Sequence, residues 1–146
     1  MRDRLSPNFE DYIEAILIVQ MRNKVVRVKD ISKMLNVSMP SVHGAIKVLK
    51  EKSLVLHQKY GYIELTEEGS RTASEIFQKH KLLKNFFIKI LDLSEEVAAE
   101  DACKIEHYLS KQTLTRLSAF INFFDSHSLD ITEQFKIYHK EKGIKA

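Results

Sequence analysis

Between Tyr12 and Val19 the apolar residues Tyr12, Ile13, Ile16, Leu17 and Val19 return every three to four positions, which predicts an amphipathic helix. Ser6-Pro7-Asn8 marks its start, with Ser6 placed to accept from free backbone N–H groups and Pro7 suited to the first helical position. The helix is expected to reach about Met21, and it carries Asp11 and Glu14 three residues apart on one face. After the polar break Arg22-Asn23-Lys24, Ile31, Met34 and Leu35 predict a short helix. Ser38-Met39-Pro40-Ser41 is a turn and capping signal, and Val42, Ala45, Ile46, Val48 and Leu49 predict a further helix ending near Lys52-Ser53. The runs 54–58 and 62–65 are short and β-prone, and between them Lys59-Tyr60-Gly61 predicts a hairpin tip.

Beyond Leu65 the pattern is helical. A long helix is expected from Thr66 to about Leu91, with Gly69 a weak point, followed by helices from about Glu95 to Leu109 and from about Thr113 to Phe124. Residues 131–142 also carry a helical pattern, and the last residues are basic. The fold class expected is mainly α: an N-terminal winged helix-turn-helix with a small β-hairpin wing over residues 1–66, then an all-helical part over 67–146.

Charge adds an asymmetry. Residues 1–60 hold 11 Lys and Arg against 6 Asp and Glu, whereas residues 61–146 hold 12 against 14, so the halves carry +5 and −2. A basic half built as a helix-turn-helix fits contact with phosphates. The composition, 44% hydrophobic and 29% charged, is that of a soluble globular chain, and no apolar run approaches the ~18 residues of a membrane span. No apolar leader follows Met1-Arg2-Asp3-Arg4, so the cytoplasm is the expected compartment. One cysteine, Cys103, can form no internal disulfide.

A recognition helix presents small or polar residues near its N-terminus, where side chains reach base edges in a major groove ~12 Å wide. Ser38, Pro40, Ser41, His43 and Gly44 occupy that end here. Lys47, Lys50, Lys52, Lys59 and Arg27 are candidates for phosphates, and Lys59 with Tyr60 would form the tip of the wing. In the second half, Cys103, Glu106 and His107 stand at i, i+3 and i+4, so a thiolate, a carboxylate and an imidazole share one helical face. Such a set is costly to bury unpaired and makes half a site for a divalent cation. Candidates for the other half are His80 and the pair Asp11 and Glu14.

Three stretches together resemble the diphtheria toxin repressor family, and within it the short manganese transport regulators. They are Glu10-Asp11-Tyr12-Ile13-Glu14, His80-Lys-Leu-Leu83, and Cys103-x-x-Glu106-His107-x-Leu109-Ser110. The resemblance spans nearly the whole chain. It implies a homodimeric repressor of metal-uptake genes that binds double-stranded operator DNA when loaded with Mn²⁺ or Fe²⁺, its helical half serving for dimerisation. Co²⁺, Zn²⁺ or Cd²⁺ are expected to substitute in vitro, with one or two ions per subunit. The implied ligands are Asp11, Glu14, His80, Cys103, Glu106 and His107. The manganese branch usually has Glu at the position of Cys103, and the iron branch has Cys there but Met at the position of Asp11; this chain mixes the two. Ala99 and Lys84 stand where the iron branch has the His and Glu of an ancillary site, and Gly44 stands where some relatives read a base with Gln.

Two other readings compete with this one. A helical metalloenzyme of the di-iron kind uses Glu-x-x-His pairs, but the residue three before His107 is Lys104, and no glycine-rich phosphate loop is present. A winged-helix regulator answering a non-metal signal would leave the clustered ligand types without a purpose. Neither membrane nor small organic substrate is an expected partner.

Overall fold

The structure is a computed structural model that describes residues 5–58, 61–126 and 131–143. Among these the chain forms seven helices and one small sheet, in two compact units, the first ending at Phe77 and the second beginning at Gln78.

The first unit contains α1 (Pro7–Arg22), β1 (Val26–Arg27), α2 (Val28–Leu35), α3 (Met39–Glu51), β2 (Val55–His57), β3 (Tyr62–Leu65) and the start of α4 (Glu67–Lys89). Ile13 and Ile16 of α1, Ile31 of α2, Val42, Ile46 and Leu49 of α3 and Val55 and Ile63 of the sheet are all but inaccessible, so one core ties the three helices to the strands. The expected cap at Ser6 differs in detail: its side chain makes no cap bond, and its carbonyl accepts from the amides of Phe9 and Glu10 instead. At α3 the cap is made as expected, with Ser38 Oγ accepting from the Ser41 amide at 3.2 Å and Pro40 in the first turn.

The sheet has a third strand that the hydrophobic pattern did not reveal. The order is β1-β3-β2, all antiparallel, and β1 pairs Val26 with Ile63 and Arg27 with Tyr62. Two residues carry no period for sequence reading to detect. The hairpin itself forms where expected, although Lys59 and Tyr60, its anticipated tip, lie outside the described residues.

Gly69, expected to weaken α4, is required by packing. A Cβ there would stand 1.9 Å from the Leu54 carbonyl oxygen. Thr66 fixes this junction: its amide and its Oγ1 both donate to that carbonyl, Oγ1 also reaches the Ser53 carbonyl at 2.8 Å, and Oγ1 accepts from the Gly69 amide at 3.0 Å. Bringing the start of α4 this close to the turn before β2 leaves no room for a side chain.

The second unit consists of the rest of α4 with α5 (Glu95–Ile105), α6 (Lys111–Ser126) and α7 (Ile131–Glu141). Leu83, Ala98, Ala102 and Ile121 are buried, and the small residues of α5 allow close helix packing. Phe86 meets Phe120 edge-on with centroids 6.4 Å apart. Lys89 pairs with Asp125 at 2.9 Å, and its carbonyl accepts from Thr132 Oγ1 at 2.7 Å, so α4, α6 and α7 are linked around one residue. α5 ends at Ile105, short of the expected Leu109; Glu106 keeps helical angles and the next residues turn, with Ser110 Oγ accepting from the Thr113 amide as α6 begins.

Gly69→Ala is therefore expected to destabilise the protein by about 3 kcal/mol through overpacking, although alanine is the better helix former by ~1 kcal/mol. Urea unfolding of the two proteins checks this; an unchanged or higher midpoint would show that the junction has slack.

Candidate nucleic-acid interface and metal centre

In the first unit, α3 divides cleanly. Val42, Ala45, Ile46 and Leu49 point into the core, while Ser38, Pro40, Ser41, His43, Gly44, Lys47 and Lys50 are all exposed. The residues expected to meet DNA thus lie on the outer side of a rigidly seated helix. A Cβ on Gly44 would meet nothing within 4 Å, so its small size answers no packing demand inside the unit.

Arg27 is held in a way that sequence reading missed. Its guanidinium stacks over the Tyr62 ring, 5.2 Å from the centroid, and donates to Tyr62 Oη at 3.3 Å. Its backbone amide donates to Asp30 Oδ2 at 3.0 Å, closing the start of α2. Tyr62 earns a place beside Arg27 because β1 and β3 pair them across the sheet, and that register was invisible while β1 was unrecognised.

Of the six residues expected to ligate metal, Asp11 and Glu14 lie on α1 in the first unit, three apart, Glu14 buried and Asp11 partly so. The other four lie in the second unit and converge there. His80 Nδ1 and Glu106 Oε2 are 2.8 Å apart, His107 Nε2 stands 3.5 Å from Glu106 Oε1, and the Cys103 sulfur lies within 4.8 Å of a Glu106 carboxylate oxygen. Cys103 is exposed, His107 is buried and Glu106 is wholly inaccessible. Helical angles continuing through Glu106 bring Cys103 and Glu106 together, as the i, i+3 spacing requires.

Glu106 Oε1 is buried and has no hydrogen-bond partner. A carboxylate in that condition costs several kcal/mol unless a cation compensates it, by order of magnitude. Two imidazoles and a thiol each stand beside the Glu106 carboxylate, and these are the donor types of a transition-metal site, so the residues fit such an ion. Lys84 and Ala99, by contrast, offer no ligand pair. Lys84 Nζ donates to Glu95 Oε1 at 2.7 Å, and this bond holds the Glu95 carboxyl below its ordinary range.

With this geometry in place, the comparisons with known proteins agree at both ends of the chain. Residues 4–63 match the iron dependent repressor N-terminal DNA binding domain, and residues 66–131 match the iron dependent repressor metal binding and dimerisation domain. The chain belongs to the iron dependent repressor family. It is similar to an uncharacterized HTH-type transcriptional regulator of Methanocaldococcus jannaschii, 37% identical over 82% of this chain and 97% of that protein. It is also 30% identical to the HTH-type transcriptional regulator MntR of Bacillus subtilis, over 82% of this chain and 84% of the relative. Among solved structures, a manganese-dependent transcriptional repressor in complex with manganese superposes with a TM-score of 0.73 at 28% identity. That match covers 79% of this chain but 53% of the other, so the chain spans about half the length of that solved relative.

The protein is thus a metal-dependent DNA-binding transcriptional repressor. Among the described residues no helix is long and apolar enough to cross a membrane.

For this repressor, Arg27→Ala should weaken binding to every duplex alike and reduce the slope of log affinity against log salt by about 2 per dimer, as loss of one phosphate contact in each subunit does. Fluorescence anisotropy at several salt concentrations measures it; an unchanged slope would place Arg27 away from the phosphates.

Proposed function

We propose that the repressor senses Mn²⁺ or Fe²⁺ through Asp11, Glu14, His80, Cys103, Glu106 and His107, and that the loaded homodimer binds double-stranded operator DNA in the cytoplasm to shut off metal-uptake genes. The observation that carries this reading is the wholly buried Glu106 carboxylate flanked by two imidazoles, one of its oxygens accepting no hydrogen bond. Support also comes from the resemblance of all three ligand-bearing stretches to the short manganese transport regulators.

The six side chains divide the work. Glu106 supplies negative charge where water is excluded, His80 and His107 supply neutral donors, and Cys103 supplies a soft one. Asp11 and Glu14 bring two hard carboxylates from α1, the helix whose core face also seats α3. A bound divalent cation supplies the positive charge that this set lacks. Ligands drawn from both units would restrict their relative motion, so that the entropy of ordering the reading helices is met before DNA arrives. In a homodimer the two copies of α3 would then address successive major grooves ~34 Å apart. Typical couplings of ~1–3 kcal/mol give roughly 5–150-fold regulation.

The mixed donor set bears on selectivity. A thiolate at Cys103 favours Fe²⁺, Co²⁺ or Zn²⁺, whereas the carboxylates of α1 favour Mn²⁺. The site is expected to accept Co²⁺, Zn²⁺ or Cd²⁺ in vitro, with one or two ions per subunit.

Operator affinity measured with and without Mn²⁺ or Fe²⁺ tests the proposal, and a rise of ~5–150-fold on loading is expected. Equal affinities would end it. Loading with Co²⁺ should also give an intense thiolate charge-transfer band that disappears in Cys103→Ser; a band that persists would remove Cys103 from the ligand set.

A further inference from the structure

The outer surface of the first unit holds two histidines from different elements. His43 lies on α3 and His57 ends β2, both are exposed, and their ring centroids are 6.5 Å apart. The sheet register explains the meeting. His57 pairs with Ile63 and lies two residues beyond Val55, so it belongs to the sheet face that covers the helices, at the end where that cover runs out beside α3. His43 in turn shares a helical stripe with Lys47, four residues on, and with Lys50.

The charges around this pair favour an anion. On α3 they are Lys47 and Lys50, with Glu51 two turns further along. The carboxylate of β3, Glu64, pairs with Leu56 on the opposite face of the sheet and accepts from Gln58 Nε2 at 2.6 Å. α2 contributes Lys29, Lys33 and Asp30, the last engaged by the Arg27 amide. α1 also packs on α3, and its charged groups are Glu10, Asp11, Glu14 and Arg22, of which Glu10 and Glu14 are buried. Neither imidazole makes a hydrogen bond or ion pair among the described residues.

We propose that His43 and His57 together grip a DNA phosphate at the junction of recognition helix and wing, so that the repressor binds DNA more tightly as pH falls. The inference rests on the DNA-binding role of the first unit and adds His57, which lies outside the recognition helix, to its contact surface. Imidazole is the side chain whose ordinary titration falls between pH 5 and 8. A phosphate stabilises the protonated ring, so binding takes up protons and affinity rises toward acid. Because the contact is to backbone and not to a base edge, it acts on any duplex.

The test compares wild type with His43→Gln/His57→Gln, both saturated with Mn²⁺, on operator and on unrelated duplex between pH 8 and pH 6. Both side chains are exposed, so the variant should keep its unfolding midpoint, measured alongside. The ratio of wild-type to variant affinity is expected to grow by about fivefold across this range on both duplexes, with a salt slope steeper by about 1 per subunit in the wild type at pH 6, for the one phosphate the pair holds. Comparison as a ratio cancels any loss of metal affinity in acid, which both proteins share. A constant ratio would overturn the inference, and a growing ratio on operator alone would overturn its assignment to phosphate. Metal dependence of wild-type operator binding at pH 8 is read in the same series; its absence would count against the metal-sensing proposal and not against this one.

Discussion

Glu106 is the residue whose physics constrains the second unit most. Its side chain is inaccessible, one oxygen is shared with His80 and the other has no hydrogen-bond partner. An ionised carboxylate withdrawn from water is expensive, and removal of its charge by protonation or by a cation is what normally makes such burial tolerable. Two flanking imidazoles do not complete the account, because each must be protonated to neutralise the acid, and at His107 that would place a second charge where water is excluded. A divalent cation held by these residues would remove the conflict, since it would accept the carboxylate as an anion and both rings in their neutral form. Ala98 and Ala102, both buried, let α5 pack closely without adding further polar groups.

The DNA-reading unit solves a different problem, the rigid display of polar groups. α3 is held from below by α1, α2 and β2 through fully buried aliphatic side chains, and from its start by the Ser38 cap. Beyond the cap, the outer residue Gly44 has no packing role, so it can stand in the helix interior at a cost of about 1 kcal/mol. Arg27 is the opposite case: a phosphate candidate whose long side chain is steadied by Tyr62, so less rotamer entropy is lost when it binds.

Much of this was legible in the sequence because it depends on local period. The helices from Pro7 to Glu51 follow from apolar spacing and cap residues, and the convergence of Cys103 and Glu106 follows from helical geometry alone. What stayed hidden depends on contacts between distant residues. β1 is too short to carry a pattern, so the Arg27–Tyr62 pair across it could not be anticipated, nor could the meeting of His57 with His43. Gly69 shows the same limit from the other side: propensity counted it as a weakness, whereas the approach of the Leu54 carbonyl makes it necessary. The resemblance to metal-dependent repressors reached the six ligand candidates through motifs, and the geometry within the second unit now gives four of them a physical reason to be together.

Thermal unfolding of the wild type and Glu106→Gln, each with and without Mn²⁺, tests the central claim most directly. The account predicts that the ion raises wild-type stability by about 2.7 kcal/mol at a hundred times its dissociation constant and leaves the variant unmoved. Equal stabilisation of both proteins would contradict it, since Glu106 would then be a buried acid with no part in holding the cation.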